Sequence, residues 1–221
     1  MSRGDVHRLR VLTRRLRAAE WLVRHEYGAP ALGRLRKSLR QVARALGHRR
    51  TLDVVSRDAH HYGIDSARLK PLVQVAESDL RRALGKSRRK KLERDLCRAA
   101  EHLDGMPRWA LVPALDLLQQ RLERLRGATA STPEEGHRIR IEAKKIRYAL
   151  EALGRRVDAL VELQSHLGRG HDLRVLQQFL GADPEVRRLE REEWRKARGL
   201  LRPAVEAALG ELDRLREELA A

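Results

Sequence analysis

The sequence predicts an all-α protein organised as a duplicated helical bundle, on three observations. Leu, Ala, Arg and Glu dominate the 221 residues, β-branched residues are few and aromatics make up 3%, a composition that favours helix. Apolar residues recur every three or four positions, and no segment alternates in the manner of a strand. A basic segment close to the N-terminus also returns 130 residues later.

The first helix is expected over about Ser2 to Glu26, where Leu9, Leu12, Leu16, Ala19 and Val23 form an apolar stripe. Gly28-Ala29-Pro30 ends it, and Pro30 suits the first position of the next helix. That second helix is expected to stop at Leu46, with Gly47 as C-cap. A third is expected over Thr51 to Tyr62, stopped by Gly63. Two more are expected over Asp65 to Leu103, separated near Gly85, with a break or kink at Pro71. Another spans Arg108 to Leu125. Gly127 to Thr132 is small and polar and reads as the linker between two halves, 1–127 and 128–221.

Thr132-Pro133-Glu134-Glu135 is a helix start: an N-cap threonine, a proline at the first helical position and a glutamate placed to close a capping box. The helix it opens is expected to reach Arg156. Two shorter helices should follow, on either side of Gly168 and Gly170. Asp183-Pro184-Glu185 opens a long last helix toward Leu219, with Gly199 and Pro203 as candidate kinks.

Charge narrows the partner. Lys and Arg number 48 against 31 Asp and Glu, a net charge of +17, which points to anionic ligands. Residues 1–127 carry 30 basic against 14 acidic residues, and 128–221 carry 18 against 17. Arginine supplies 40 of the 48, and its planar fork suits phosphate. GC-rich coding inflates arginine everywhere but does not decide where it sits. Scarce aromatics argue against a platform for stacking bases. Cys97 is the single cysteine, no segment approaches the roughly 18 apolar residues of a membrane span, and Met1 to Arg17 is charged throughout. A cytoplasmic protein with no membrane partner is expected.

The repeat locates the charge. Val6-His7-Arg8-Leu9-Arg10-Val11-Leu12-Thr13-Arg14-Arg15-Leu16-Arg17-Ala18-Ala19 aligns with Gly136-His137-Arg138-Ile139-Arg140-Ile141-Glu142-Ala143-Lys144-Lys145-Ile146-Arg147-Tyr148-Ala149. On a wheel of about 100° per residue with His7 at zero, Arg14, Arg10 and Arg17 fall within about 80° of it, opposite the leucine stripe. His137, Arg140, Lys144 and Arg147 repeat that edge; Arg15 and Lys145 lie to its side. Leu46-Gly47 with Leu52 to Val54 also aligns with Leu167-Gly168 and Leu173 to Val175, at an offset of 121. One such helix reads as a solvated basic face. The same stripe twice reads as a site, although shared ancestry alone could preserve part of the likeness.

These segments resemble the signature of the CHAD family, the conserved histidine α-helical domain. The motifs that carry the resemblance are His7-Arg8-Leu9-Arg10 with Arg14-Arg15-Leu16-Arg17, His137-Arg138-Ile139-Arg140 with Lys144-Lys145-Ile146-Arg147, and the segments around Leu46-Gly47…Arg50-Thr51-Leu52-Asp53 and Leu167-Gly168…His171-Asp172-Leu173. The resemblance implies two pseudo-symmetric bundles whose histidine helices line a basic central cavity or cleft. It also implies binding of inorganic polyphosphate and an association with polyphosphate granules. The chain departs from the family pattern at Thr51, where an acid is usual, and at His171, which aligns with Arg50. It carries no Glu-x-Glu-x-Lys element of the CYTH-type triphosphatase domain that often accompanies the family, so a stand-alone binder is expected.

Polyphosphate binding is therefore expected at His7, Arg10, Arg14, Arg15, Arg17, Arg50, His137, Arg140, Lys144, Lys145 and Arg147. The alternative is nonspecific nucleic-acid binding, for which Lys86-Ser87-Arg88-Arg89-Lys90-Lys91 is the candidate run. Nine histidines raise a metal site as a third reading. Arginines surround His7 and His137, and the adjacent His60 and His61 cannot face one way, so neither metal nor cofactor is expected. No nucleophile–base pair or carboxylate pair stands out, so no enzyme is expected. Trp21, Trp109 and Trp194 read as core or interface residues.

Overall fold

A computed structural model describes residues 3–24, 30–129, 132–181 and 183–220. Among these residues the fold is all-α, with no strand. Its helices are α1 (Arg3–Val23), α2 (Pro30–His61), α3 (Leu69–Ala83), α4 (Lys86–Leu103), α5 (Val112–Arg126), α6 (Pro133–Ala152), α7 (Asp158–Leu180) and α8 (Pro184–Ala220), with a 3-10 turn at Arg108–Leu111. The turn expected at Gly28-Ala29, the stretch Ala130-Ser131 of the expected linker, and Ser2 and Glu26 at the ends of the first helix lie outside the described residues. No described helix is long and apolar enough to cross a membrane.

The helix ends follow local chemistry. At α6, Glu135 N–H donates to Thr132 Oγ1 at 3.2 Å while Thr132 N–H donates to the Glu135 carboxylate at 3.2 Å, which completes the capping box. Asp183 accepts from the N–H groups of Glu185 and Val186 at the start of α8. Gly63 takes φ 67° and lets Ile64 N–H reach back to Ala59 O, which closes α2. Gly154, at φ 78°, closes α6 in the same way through Arg155 N–H and Leu150 O, so that helix stops short of Arg156.

Three expectations about breaks are corrected. Gly47 does not cap a helix, because α2 runs through it, and Gly168 and Gly170 lie inside the continuous α7. A mid-helix glycine costs only about 1 kcal/mol. The flanking leucines outweigh that: Leu46, Leu52, Leu167 and Leu173 are all at most 1% exposed. Pro71 does not break α3. It sits in the first turn, where its missing N–H would have had no intrahelical acceptor.

The described chain forms two compact units, Met1–Pro107 and Arg108–Ala221. Helix α5, N-terminal to the sequence division at 127/128, packs with the elements after it, against α8 and α6. In the first unit α2 is the central helix, and α1, α3 and α4 pack on it. In the second unit α8 packs along α7 and α5, and α6 packs on α7. The indole of Trp194 on α8 lies against Gly136 of α6 and Gly170 of α7. A Cβ at Gly136 would come within 2.5 Å of the ring and one at Gly170 within 3.0 Å. Its ring N–H donates to Glu190 at 3.2 Å. Trp194 is thus a half-buried packing residue, whereas Trp109 is 65% exposed and is no core residue.

The buried face of α1 differs from the leucine stripe. Val6, Thr13, Glu20 and Val23 are buried, while Leu12 is 53% exposed and Ala19 is exposed. The Thr13 hydroxyl is satisfied inside by Leu9 O at 2.7 Å. The 130-residue counterparts Gly136, Ala143 and Leu150 are buried on α6. Both helices therefore turn the same register inward, a face rotated toward the arginine edge.

Candidate polyanion-binding faces

In the second unit the capping box fixes where α6 begins and hence which side each residue takes. Ile139, Ala143, Ile146 and Ala149 are buried, while His137, Arg140, Lys144 and Arg147 share another edge. Against that edge α7 supplies His171 and Arg174. The His137 and His171 rings are 5.3 Å apart, tilted at 42°. Arg174 pairs with Glu134 at 3.1 Å. Burial holds the His171 imidazole down at about 3, with Arg140, His137, Lys144 and Arg174 adding to the effect. Burial also lowers His137, followed by Arg140, Lys144 and Arg174. The charged groups that act on this pair are all positive, so both rings are neutral at pH 7.

Arg147 lies at the far end of the edge. It is half-buried, pairs with Glu151 at 2.8 Å and lies over the Tyr148 ring at 4.3 Å. Its Nε is buried and without an acceptor among the described residues, as is Gln164 Nε2, two helical turns before His171 on the same face of α7. Lys145 stands elsewhere: it pairs with Glu142, which also accepts from Arg121 of α5.

In the first unit α1 and α2 bring a second group together. Burial lowers the Arg17 guanidinium, and Arg40, Arg36 and Arg14 add to that against the pull of Glu20. Glu20 is 6% exposed. Burial raises its carboxyl, while Arg24, Arg36, Arg17 and Arg40 pull the other way. A buried carboxylate thus sits among arginines of both helices. Arg10 and Arg14 are half-buried, and His7 and Arg15 are exposed. Arg50 is half-buried in the C-terminal half of α2, where its neighbour Arg49 pairs with the buried Asp53.

Sequence reasoning missed Glu20, Arg36, Arg40 and Arg174. One signal was available: His171-x-x-Arg174 repeats the spacing of His7-x-x-Arg10 and His137-x-x-Arg140. Arg36 and Arg40 gave none, since their role depends on which helix packs against α1. Among the described residues no group of three or more His, Cys, Asp and Glu is placed to hold a metal ion. His60 and His61 are both exposed at the end of α2.

These features define a class: an all-helical protein whose histidine-bearing helices present rows of arginine and lysine. Residues 2–181 match the model of the CHAD domain, and the chain belongs to that family. No curated protein and no solved structure matches it.

Proposed function

We propose that the protein binds inorganic polyphosphate and performs no chemistry on it. The observation that carries this reading is the cationic edge of α6 and α7, where the His137 and His171 rings lie 5.3 Å apart and Arg140, Lys144 and Arg174 act to keep both uncharged. A multiply charged phosphate chain reverses that field. It accepts hydrogen bonds from the guanidinium and ammonium groups, and it lets the imidazoles take up protons and donate as well. Family membership supports the same reading, since the CHAD domain is associated with polyphosphate-related proteins. On this reading α1 with α2 and α6 with α7 are duplicated binding faces. Their common buried register at Val6/Gly136, Thr13/Ala143 and Glu20/Leu150 supports the duplication. The protein would then accompany cytoplasmic polyphosphate granules.

The test is binding to long-chain polyphosphate at about 150 mM salt, where screening acts over roughly 8 Å. Orthophosphate, heparin and duplex DNA serve as competitors. Tight binding that Arg14→Ala with Lys144→Ala weakens, and that DNA of matched charge does not displace, is the expected result. Equal binding of every polyanion, indifferent to those substitutions, would put general basicity in place of a site and make nucleic-acid binding the better reading.

A further inference from the structure

Helix α4 carries a cationic face that the histidine-bearing helices do not account for. Its inward side is committed: Lys91 and the Ser38 hydroxyl both donate to the buried Asp95. Its outward side presents Lys86, Lys90, Arg94 and Arg98, spaced by four residues along about 18 Å of helix. The hollows between these side chains are lined by α4 alone, with Glu93 and Glu101 among them. None of these four side chains has an ion pair or hydrogen bond among the described residues, and neither do those of the exposed Arg88 and Arg89.

This arrangement is unfavourable in the free protein. The first turn of α4 has no acidic residue, and its N-cap, Gly85, supplies no side-chain acceptor. Cations therefore crowd the positive end of the helix dipole, where acids are the stabilising choice, and like charges four residues apart repel. The first unit also holds most of the chain's excess charge, 26 Lys and Arg against 12 Asp and Glu over residues 1–107. No Phe, Tyr or Trp lies on α4 and its one ring, His102, sits in the last turn, so a base would find no stacking surface along the cationic row. A single row of cations suits one strand of phosphates, with the load on the Lys86–Lys90 end because Glu93 and Glu101 lie beyond it.

The face turns outward from the core that α4 shares with α1. Val6 of α1 and Val42 and Leu46 of α2 form one buried cluster with Leu80, and Leu92 of α4 packs against it. Leu92 lies opposite the cationic row on the helix, so only a chain long enough to pass round α4 can occupy both faces. We propose that the Lys86–Lys90–Arg94–Arg98 face is a second anchoring surface for the same phosphate chain, so that the protein selects long polyphosphate over short. This rests on the polyphosphate reading above and adds chain-length selection to it. A chain that reaches both faces makes its second contact intramolecularly and gains avidity; a chain that fills only one does not.

The experiment compares long chains with oligomers of about ten phosphates at about 150 mM salt, per mole of phosphate, on three proteins. These are the wild type, a fourfold Lys86→Gln, Lys90→Gln, Arg94→Gln and Arg98→Gln variant, and the Arg14→Ala with Lys144→Ala variant. All four α4 positions are exposed, and the variant's circular dichroism and melting temperature verify that it folds. The expected result is a loss of about tenfold or more for long chains with short-chain affinity unchanged, collapsing the wild-type preference. Equal loss at both lengths, or no loss, overturns the proposal and leaves the polyphosphate reading standing. Loss of duplex DNA binding with an unchanged length preference also overturns it and assigns α4 to nucleic acid. A wild type that binds neither length overturns the functional reading itself.

Discussion

The imidazoles of His137 and His171 lie 5.3 Å apart across α6 and α7, and both are kept neutral by their surroundings. The pair makes stability depend on pH. His171 titrates at about 3 when folded, against 6.5 for the free side chain. The unfolded chain therefore binds the proton more readily between those values. The stabilisation from keeping His171 neutral is complete above about pH 6.5 and is lost as pH falls toward 3. The slope from this residue is at most about 1.4 kcal/mol per pH unit, and less where water reaches the ring. Thermal melts of the free protein between pH 7 and 4 should show the decline, and His171→Asn should flatten it.

Polyphosphate should reverse that dependence. The ligand's charge favours the protonated rings, so affinity should rise as pH falls from 7 to 5.5, by up to tenfold for each proton taken up per pH unit. Titration calorimetry in buffers of different ionisation enthalpy measures the uptake, and wild-type binding without uptake would count against the imidazoles as ligands.

Arg140 and Lys145 separate the two sides of α6. Arg140 shares the His137 edge, whereas Lys145 is held by Glu142. Arg140→Ala should weaken polyphosphate binding by roughly tenfold and reduce the salt slope by about one. Lys145→Ala should stay within about twofold. Equal losses would mean that charge alone, and not its placement, governs binding.

Gly136 and Gly170 leave room for the Trp194 ring. Gly136→Ala should destabilise the protein by about 1–3 kcal/mol through overpacking, partly offset by alanine's better helix propensity. Gly170→Ala should cost less, because its new methyl meets the ring at 3.0 Å rather than 2.5 Å. Adding Trp194→Leu should recover part of the Gly136→Ala loss in urea denaturation, and failure to do so would place the strain elsewhere.

Asp95 is 3% exposed and joins α4 to α2. Burial pushes its carboxyl up, but hydrogen bonds from Lys91 and Ser38 bring it below the usual range. Its stabilisation is therefore present above about pH 4 and is lost in acid as the carboxylate protonates. Asp95→Ala should cost about 1–3 kcal/mol, since it leaves the buried Ser38 hydroxyl without its acceptor while Lys91 turns to water. Denaturant melts at pH 7 measure this; a loss below about 1 kcal/mol would mean that water replaces the carboxylate.

The legible parts of the fold were those decided locally. Thr132, Asp183 and Gly63 end or start helices through contacts within a few residues, and the basic edge of α6 follows from helical period alone. Gly47, Gly168 and Gly170 misled because burial of Leu46 and Leu167 is a tertiary effect that a window of sequence does not contain. The same holds for α1, where Leu12 looks like a core residue until α2 packs on Val6, Thr13 and Glu20. The site divides in the same way. His137, Arg140 and Lys144 were readable on one helix, whereas Arg36, Arg40 and the buried Glu20 gain their meaning from the helix opposite.

The family match ends at residue 181, yet α8 begins at Pro184 and runs the length of α7. It brings Glu193 to His166, Glu190 to Gln177 and Trp194 to Gly170, all on the helix that carries His171. Evolutionary and mechanical borders of this module therefore do not coincide. A gene fragment trimmed to the family border would keep every histidine and arginine of the basic faces and discard the beam that holds one of them straight. Laboratory excision, or a natural fusion joined at that point, should yield a chain with the right charges and no fixed place to put them.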